Sequence, residues 1–278
     1  EKEGIEPKTI LWNDGSKEVK VRSRDGANYV EPAIADNRRV LEQGFAIRLQ
    51  YEGKTIIREL KEDHWNEVVF EATYPVATIR YIDKALPVEI IIQAGAIFIP
   101  LDADHSALPA TVYRMQVKNK SKETINIAVC GWLENGAHKI TAKDGDGKRR
   151  NNAVKKDAYT AVFSDFTDAK DEVLQQRDAG TVCIACIGKD VSLNTAANPW
   201  PVNELMFDSS NESTADCLPS EKLVGSITVA QSIAPGRSEE INYVLSWHFD
   251  HPLAKRLSKL PETKGNYYYG SRFKDALA

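Results

Sequence analysis

Apolar and polar residues alternate with a period of two along most of this chain. "FAIRLQY" from Phe45, "KTIIREL" from Lys54, "VATIRYI" from Val76, "PVEIIIQAGAIFI" from Pro87 and "ATVYRMQVKN" from Ala110 read as strands, with turn residues between them. "ETINIAVCGWL" from Glu123, "AYTAVFSDF" from Ala158, "TVCIACIG" from Thr181, "LVGSITVAQSI" from Leu223 and "EEINYVLSWHF" from Glu239 continue the pattern. Roughly a dozen strands with no helix between them predict an all-β chain, a large antiparallel two-sheet β-sandwich of the supersandwich kind. In the last strand Ile241, Tyr243, Leu245 and Trp247 share one face, while Asn242, Ser246 and His248 share the other. One face should pack and the other stay partly wet. "APGRS", Ala234 to Ser238, is a Pro-Gly turn that predicts a hairpin-like pairing of the two final strands.

Two stretches read as long loops, "NGAHKITAKDGDGKRRNNAVKKD" from Asn135 and "NTAANPWPVNELMFDSSNESTADCLPSEK" from Asn194. Loops of that length are usually functional or mobile. After His248 the alternation stops. The division expected is a sandwich domain over 1–249 and, over 250–278, a C-terminal linker that starts a helix. An ending at "FKDALA", inside that helix start, reads as a chain cut from a longer one.

Composition narrows the partners. The 278 residues carry 36 Lys+Arg against 40 Asp+Glu, a net charge of −4, and the basic residues are scattered. That lacks the basic stripe of a nucleic-acid binder. No window has the roughly 18 apolar residues of a membrane helix, and "EKEGIEPKTI" has no signal-like apolar core. Cytoplasmic and exported locations are equally open. Four cysteines in a chain this long are no disulfide scaffold. Cys183 and Cys186 in "CIAC" lie three apart in a β run and so point to opposite faces, as buried thiols rather than a redox or zinc pair.

Candidate chemistry is sparse. Asp144 and Asp146 start like a calcium loop, but Lys148 and two arginines stand where oxygen ligands are required. The five histidines have no metal-ligand spacing, and neither a nucleophile elbow nor a Gly-rich phosphate loop is present. No metal and no cofactor are expected. Asp102, Asp104 and His105 in "AIFIPLDADHSALP" place two carboxylates and an imidazole within four residues, just after an apolar run that reads as a buried strand to Pro100. Hydrolysis of a glycoside needs one carboxyl held protonated by apolar surroundings. A wet turn keeps both ionised, and Asp and Ser cap turn amides without doing chemistry.

The string "YPVATIRYIDKALPVEIIIQAGAIFIPLDADHSALPATVYRMQVKNKSKETINIAV" resembles the N-terminal domain of glycoside hydrolase family 116, the family of non-lysosomal glucosylceramidase (bile-acid β-glucosidase) and bacterial β-glucosidases. The motifs are Tyr-Pro opening a strand, "LPVEI", "FIPLD" followed by "SALP", and a strand running into "VKN". "VGSITVAQSIAPGRSEEINYVLSWHF" is similar to the family's last sandwich strands, and "GNYYYGSRFKDALA" to its passage into a helical domain. The resemblance runs from about Phe45 to the C-terminus. It implies a β-sandwich in front of an (α/α)6 toroid that carries both the nucleophile and the acid/base carboxylate, so no catalytic residue is carried over to this chain.

Two functions follow as expectations. One is a non-catalytic domain of a retaining β-glycosidase, inactive alone, whose partner is the C-terminal catalytic domain of the same polypeptide. The alternative is a free-standing carbohydrate-binding or scaffolding module. Sugar binding by a sandwich uses exposed aromatic faces with polar neighbours. Trp132 with Asn135, Trp200, and Tyr267 and Tyr268 of the run ending at Tyr269 are the candidates for substrate or domain-interface contacts. Docking predicts an exposed apolar patch that includes some of them.

Overall fold

The computed structural model describes residues 8–11, 18–21, 41–176, 178–250 and 267–278. Residues 1–40 and 41–278 are separate compact units. In the first, β1 (Lys8–Leu11) and β2 (Glu18–Val21) pair antiparallel with Lys8 opposite Val21. The second holds β3 (Gln43–Tyr51), β4 (Lys54–Glu59), β5 (Glu67–Thr73), β6 (Val76–Ile82), β7 (Val88–Gly95), β8 (Ala110–Asn119) and β9 (Ile125–Glu134). It continues with β10 (Lys148–Lys155), β11 (Tyr159–Thr167), β12 (Thr181–Ile187), β13 (Ser192–Asn194), β14 (Ala215–Cys217), β15 (Val224–Ile233) and β16 (Ser238–His248). The only α-helices among the described residues are single turns, α1 (Ala103–Ser106), α2 (Asp171–Leu174) and α3 (Glu204–Asp208).

These strands form the two-sheet sandwich that the alternation predicts. A nine-stranded sheet runs β14-β10-β11-β12-β16-β8-β7-β6-β5 and faces a five-stranded sheet ordered β13-β15-β9-β3-β4. The inward set of β16, Ile241, Tyr243 and Leu245, is buried with Ile90, Met115, Val117 and Ile184 of its own sheet. Opposite lie Ile47, Leu49, Ile127, Val129 and Ile227. Phe45 of the small sheet packs its ring 5.3 Å from Tyr113 and 5.2 Å from Tyr243 of the large one. The Tyr243 hydroxyl crosses the interface and donates to the carbonyls of Val129 (3.0 Å) and Ile227 (3.3 Å), so a phenol sits in the core without an unmet polar atom.

The expected pairing of the last two strands is not what forms. β15 pairs with β9 in the small sheet and β16 with β8 in the large one, so Ala234–Arg237 carries the chain from one sheet to the other. β8 to β9 is the parallel case. Both strands of each pair bury one face, and placing them in opposite sheets lets those faces meet across the core. Asn119, fully buried, binds the two crossings together: its Nδ2 donates to the Glu123 and Ile233 carbonyls at 2.8 and 2.9 Å, and its amide donates to Arg237 O at 2.9 Å.

The two long loops are more structured than their sequences suggest. "KRRNNAVK" is β10, with Arg149 and Asn151 pointing inward and buried. These two inward positions are polar, which erased the apolar alternation. The second stretch contains β14 and α3, and Met206 and Phe207 of α3 lie over the outward face of the small sheet. "PVEIIIQAGAIFI" also stops early: β7 ends at Gly95, the last residue with partners on both sides, Val76 and Val112. A Cβ at Gly95 would lie 2.6 Å from the Pro75 carbonyl, so the strand end needs glycine to approach β6. The apolar residues that follow are therefore exposed, not buried.

Most of the expected 250–278 linker lies outside the described residues. Residues 267–278 lie on the outward face of the large sheet and hold a 3-10 turn at Tyr268–Ser271. Ser246 Oγ donates to Ala276 O at 2.5 Å, the Ala276 amide donates to Thr181 Oγ1 at 2.8 Å, and His248 Nε2 lies 2.9 Å from Phe273 O. Ala276 and Leu277 pack on Ala161, Cys183, Ala185 and Phe163. This explains why His248, on the face expected to be wet, is buried. Cys183 faces this layer and Cys186 the core, the opposite sides that their spacing implies.

Candidate functional site

Antiparallel register places outward side chains of neighbouring strands in rungs across the large sheet. Thr78 of β6 stands opposite Gln93 of β7, Gln93 opposite Arg114 of β8, and Arg114 opposite Asn242 of β16. Two residues along, Val76, Gly95, Val112 and Val244 form a parallel apolar rung. A polar row and an apolar row thus lie side by side, each about 14 Å long over four strands at the usual 4.8 Å spacing. With Tyr74, Ala96 and Ile97 rising at its end, this floor forms an open groove of about 670 Å³. Tyr74 is 79% exposed and meets the edge of Phe98 at 5.2 Å between centroids.

Charge in the groove is balanced. Arg114 Nε and Nη2 lie 2.6 and 2.5 Å from one oxygen of Glu240, and Asn242 Nδ2 donates to the other at 3.2 Å. Hydrogen bonding with Glu240 raises the Arg114 pKa, and the same contact holds the Glu240 carboxyl below its ordinary range. Both stay ionised and neutralise one another.

Beside the groove, Ile97, Phe98, Ile99 and Leu101 are exposed, Leu101 completely and with a left-handed φ of 67°. Ser106 closes this knob, its Oγ accepting from Ile99 N at 2.9 Å and donating to Ile99 O at 3.1 Å. Asp102 caps α1: one carboxylate oxygen accepts from the His105 amide at 3.0 Å, and the other lies 2.6 Å from His105 Nδ1. The amide and ring of His105 hold the Asp102 carboxyl below the usual carboxylate range. Asp104 accepts a hydrogen bond from the Tyr268 hydroxyl and raises that phenol's pKa, while its carbonyl accepts from Arg272. The acidic turn is thus a cap and a clasp for the C-terminal segment.

The five sequence-derived candidates do not share one site. Tyr267 and Tyr268 are exposed on the outward face of the large sheet, and Tyr267 stacks on Tyr269 at 5.5 Å. Trp132 is on the outward face of the small sheet, 5% exposed beneath Met206 and Phe207. Gly44 is required there, because a Cβ would sit 2.5 Å from the indole. Asn135 is fully buried. Trp200 is 43% exposed, but Lys222 Nζ covers one ring face at 4.8 Å and pairs with Glu42 at 2.8 Å. The groove residues were missed because their significance depends on which strands become neighbours. Their only local signal was the polar half of each alternation.

The sequence profile described as beta-glucosidase 2, glycosyl-hydrolase family 116 N-term, matches residues 24–277. The chain belongs to this family of N-terminal domains. Sequence comparison with curated proteins gives no match. Among solved structures, it is similar to a polysaccharide lyase, with 11% identity over 81% of this chain and 28% of that one and a TM-score of 0.43. It is also similar to a protein described as a kojibiose phosphorylase from the human microbiome, at 12% identity over 81% and 25% of the two chains and a TM-score of 0.36. A third is heparan sulfate lyase HepC from Pedobacter heparinus, at 9% identity over 66% and 21% and a TM-score of 0.34. The chain spans about a quarter of the length of the first two. Among the described residues no helix is long and apolar enough to cross a membrane.

Proposed function

We propose that the chain is the non-catalytic N-terminal domain of a retaining β-glucosidase of the glucosylceramidase-like kind, seating an (α/α)6 catalytic domain of the same polypeptide on the outward face of its large sheet. The observation that carries this reading is the course of residues 267–278. The segment resembling the family's passage into the helical domain is fastened to that face at Thr181, Ser246 and His248, beside the exposed knob Ile97–Leu101. Exposed apolar residues gathered next to such a segment are what a docking surface provides. The Asp102 carboxyl is driven below its usual range, which is opposite to the protonated acid a retaining site requires. That supports placing the acid/base and nucleophile on the helical domain. Tyr267 and Tyr268 belong to the docking face in this reading, whereas Trp200 lies apart from it.

The test supplies the helical domain in trans. The chain alone should not hydrolyse an aryl β-glucoside, and the separated helical domain should bind it. Replacing Ile99→Asp and Leu101→Asp together should weaken that binding about a hundredfold or more, since each buried aliphatic side chain contributes roughly 1.5–3 kcal/mol. Turnover by the chain alone, or docking indifferent to both substitutions, would overturn the proposal.

A further inference from the structure

The groove beside the knob has a chemistry that a docking surface does not need. An apolar helix face laid across it would leave Thr78 and Gln93 without partners, an unfavourable way to bury polar groups. Among the described residues neither side chain makes a hydrogen bond, and Glu240 holds only the Nε and Nη2 edge of Arg114. The floor alternates one hydrogen-bonding rung, Thr78–Gln93–Arg114, with one apolar rung, Val76–Gly95–Val112. Tyr74 stands at the end as an exposed aromatic wall, braced edge-on by Phe98. A pyranose carries the matching surfaces, an apolar C–H face for a ring and equatorial hydroxyls for amide and guanidinium donors. The volume lies within the usual range for ligand sites, about 300–1,000 Å³.

We infer that this groove is a binding site for a neutral sugar chain, with Tyr74 as the stacking platform and Thr78, Gln93 and Arg114 as the hydroxyl contacts. The balanced Arg114–Glu240 pair leaves no net charge to attract a phosphate or an acidic saccharide. At Gly95 the Pro75 carbonyl fills the space a side chain would take, so the apolar rung is offered by Val76 and Val112 on either side of it. The site is distinct from the aromatic candidates read from the sequence. It needs no helical domain, so it stands or falls separately from the docking proposal.

Calorimetric titration of the 278-residue chain with cellotetraose tests it. Saturable binding is expected with a Kd of about 1 mM or tighter. Tyr74→Ala and Gln93→Ala should each weaken it about tenfold, the scale of one aromatic or one polar contact. Both side chains are exposed, so these variants keep the fold, which circular dichroism checks. Trp200→Ala and the Ile99→Asp/Leu101→Asp pair should leave sugar affinity unchanged. Absence of any heat at about ten times the expected Kd, or affinity unchanged in folded Tyr74→Ala, would refute the site. Equal loss in Trp200→Ala would move the sugar to the small-sheet side and refute it as well.

Discussion

Asn135 offers the sharpest test of how the sandwich is held, because its side chain is fully buried and every polar atom on it is used. Its Nδ2 donates to Arg150 O at 3.0 Å and Asp165 O at 2.9 Å, and lies 3.3 Å from Asn151 Oδ1. Its Oδ1 accepts from the Ala137 amide at 3.0 Å. Asn151 continues the network, taking a bond from Ser164 Oγ at 2.7 Å and donating to Thr195 O at 2.9 Å. Asn135→Ala leaves two carbonyls and one amide without partners in a site closed to water. At about 1 kcal/mol each the loss is roughly 3 kcal/mol, which lowers a urea midpoint by about 1 M if the slope is near 3 kcal/mol/M. Asn135→Asp is nearly the same size but turns the donor edge into a carboxylate facing three oxygen acceptors.

Burial and those acceptors push the introduced carboxyl's pKa up, so it is raised in the folded state relative to the unfolded chain. Stability is then retained at low pH and lost as pH rises through the folded-state value. Asn135→Asp should therefore resemble Asn135→Ala near about pH 5 and fall clearly below it near about pH 8. Urea unfolding followed by tryptophan fluorescence at both pH values measures the difference. An Asn135→Ala loss under about 0.5 kcal/mol, or an Asp-minus-Ala difference that stays flat with pH, would refute the network as described.

Two further predictions probe other layers. Burial pushes the Cys183 thiol up to about 12 and those of Cys130, Cys186 and Cys217 to about 11. None should react quickly with a thiol reagent near about pH 8, and the part-exposed Cys217 should speed up roughly tenfold per pH unit; fast labelling of folded Cys183 would contradict its place under Ala276. Removing two of the fastenings of the C-terminal segment, Thr181→Val with Ser246→Ala, should weaken its attachment by about 2 kcal/mol and accelerate amide exchange over 273–278 about thirtyfold. Exchange there that does not change would show that the segment is held by something other than these two bonds.

Alternation carried β3, β6, β8, β9, β12, β15 and β16 because their inward positions are apolar and most of their outward ones polar or small. It failed where that rule was inverted. β10 points Arg149 and Asn151 inward, and the resulting polar string looked like a loop. The run after Gly95 is apolar yet exposed, so composition alone suggested a longer strand. Trp132 was legible as an important aromatic, but not as one covered by α3, since the contact joins residues more than seventy positions apart. The sequence of the Asp102–His105 turn reads as a cap, and Asp102 accepts from the His105 amide as one. Its hold on Tyr268 and Arg272 spans more than a hundred and sixty residues and left no local mark.

By itself the sequence determined most of the strands, which face of most of them is buried, and the family to which the sandwich belongs. Those properties are local, written at every second residue or in short motifs. Only the tertiary structure decided which strands became neighbours. That choice moved β15 and β16 into opposite sheets and laid residues 267–278 over Cys183 and Ser246. It also brought Thr78, Gln93 and Arg114 into one rung. A sheet rung is made of residues far apart in sequence and joined by register, so its chemistry exists only once the sheet has formed.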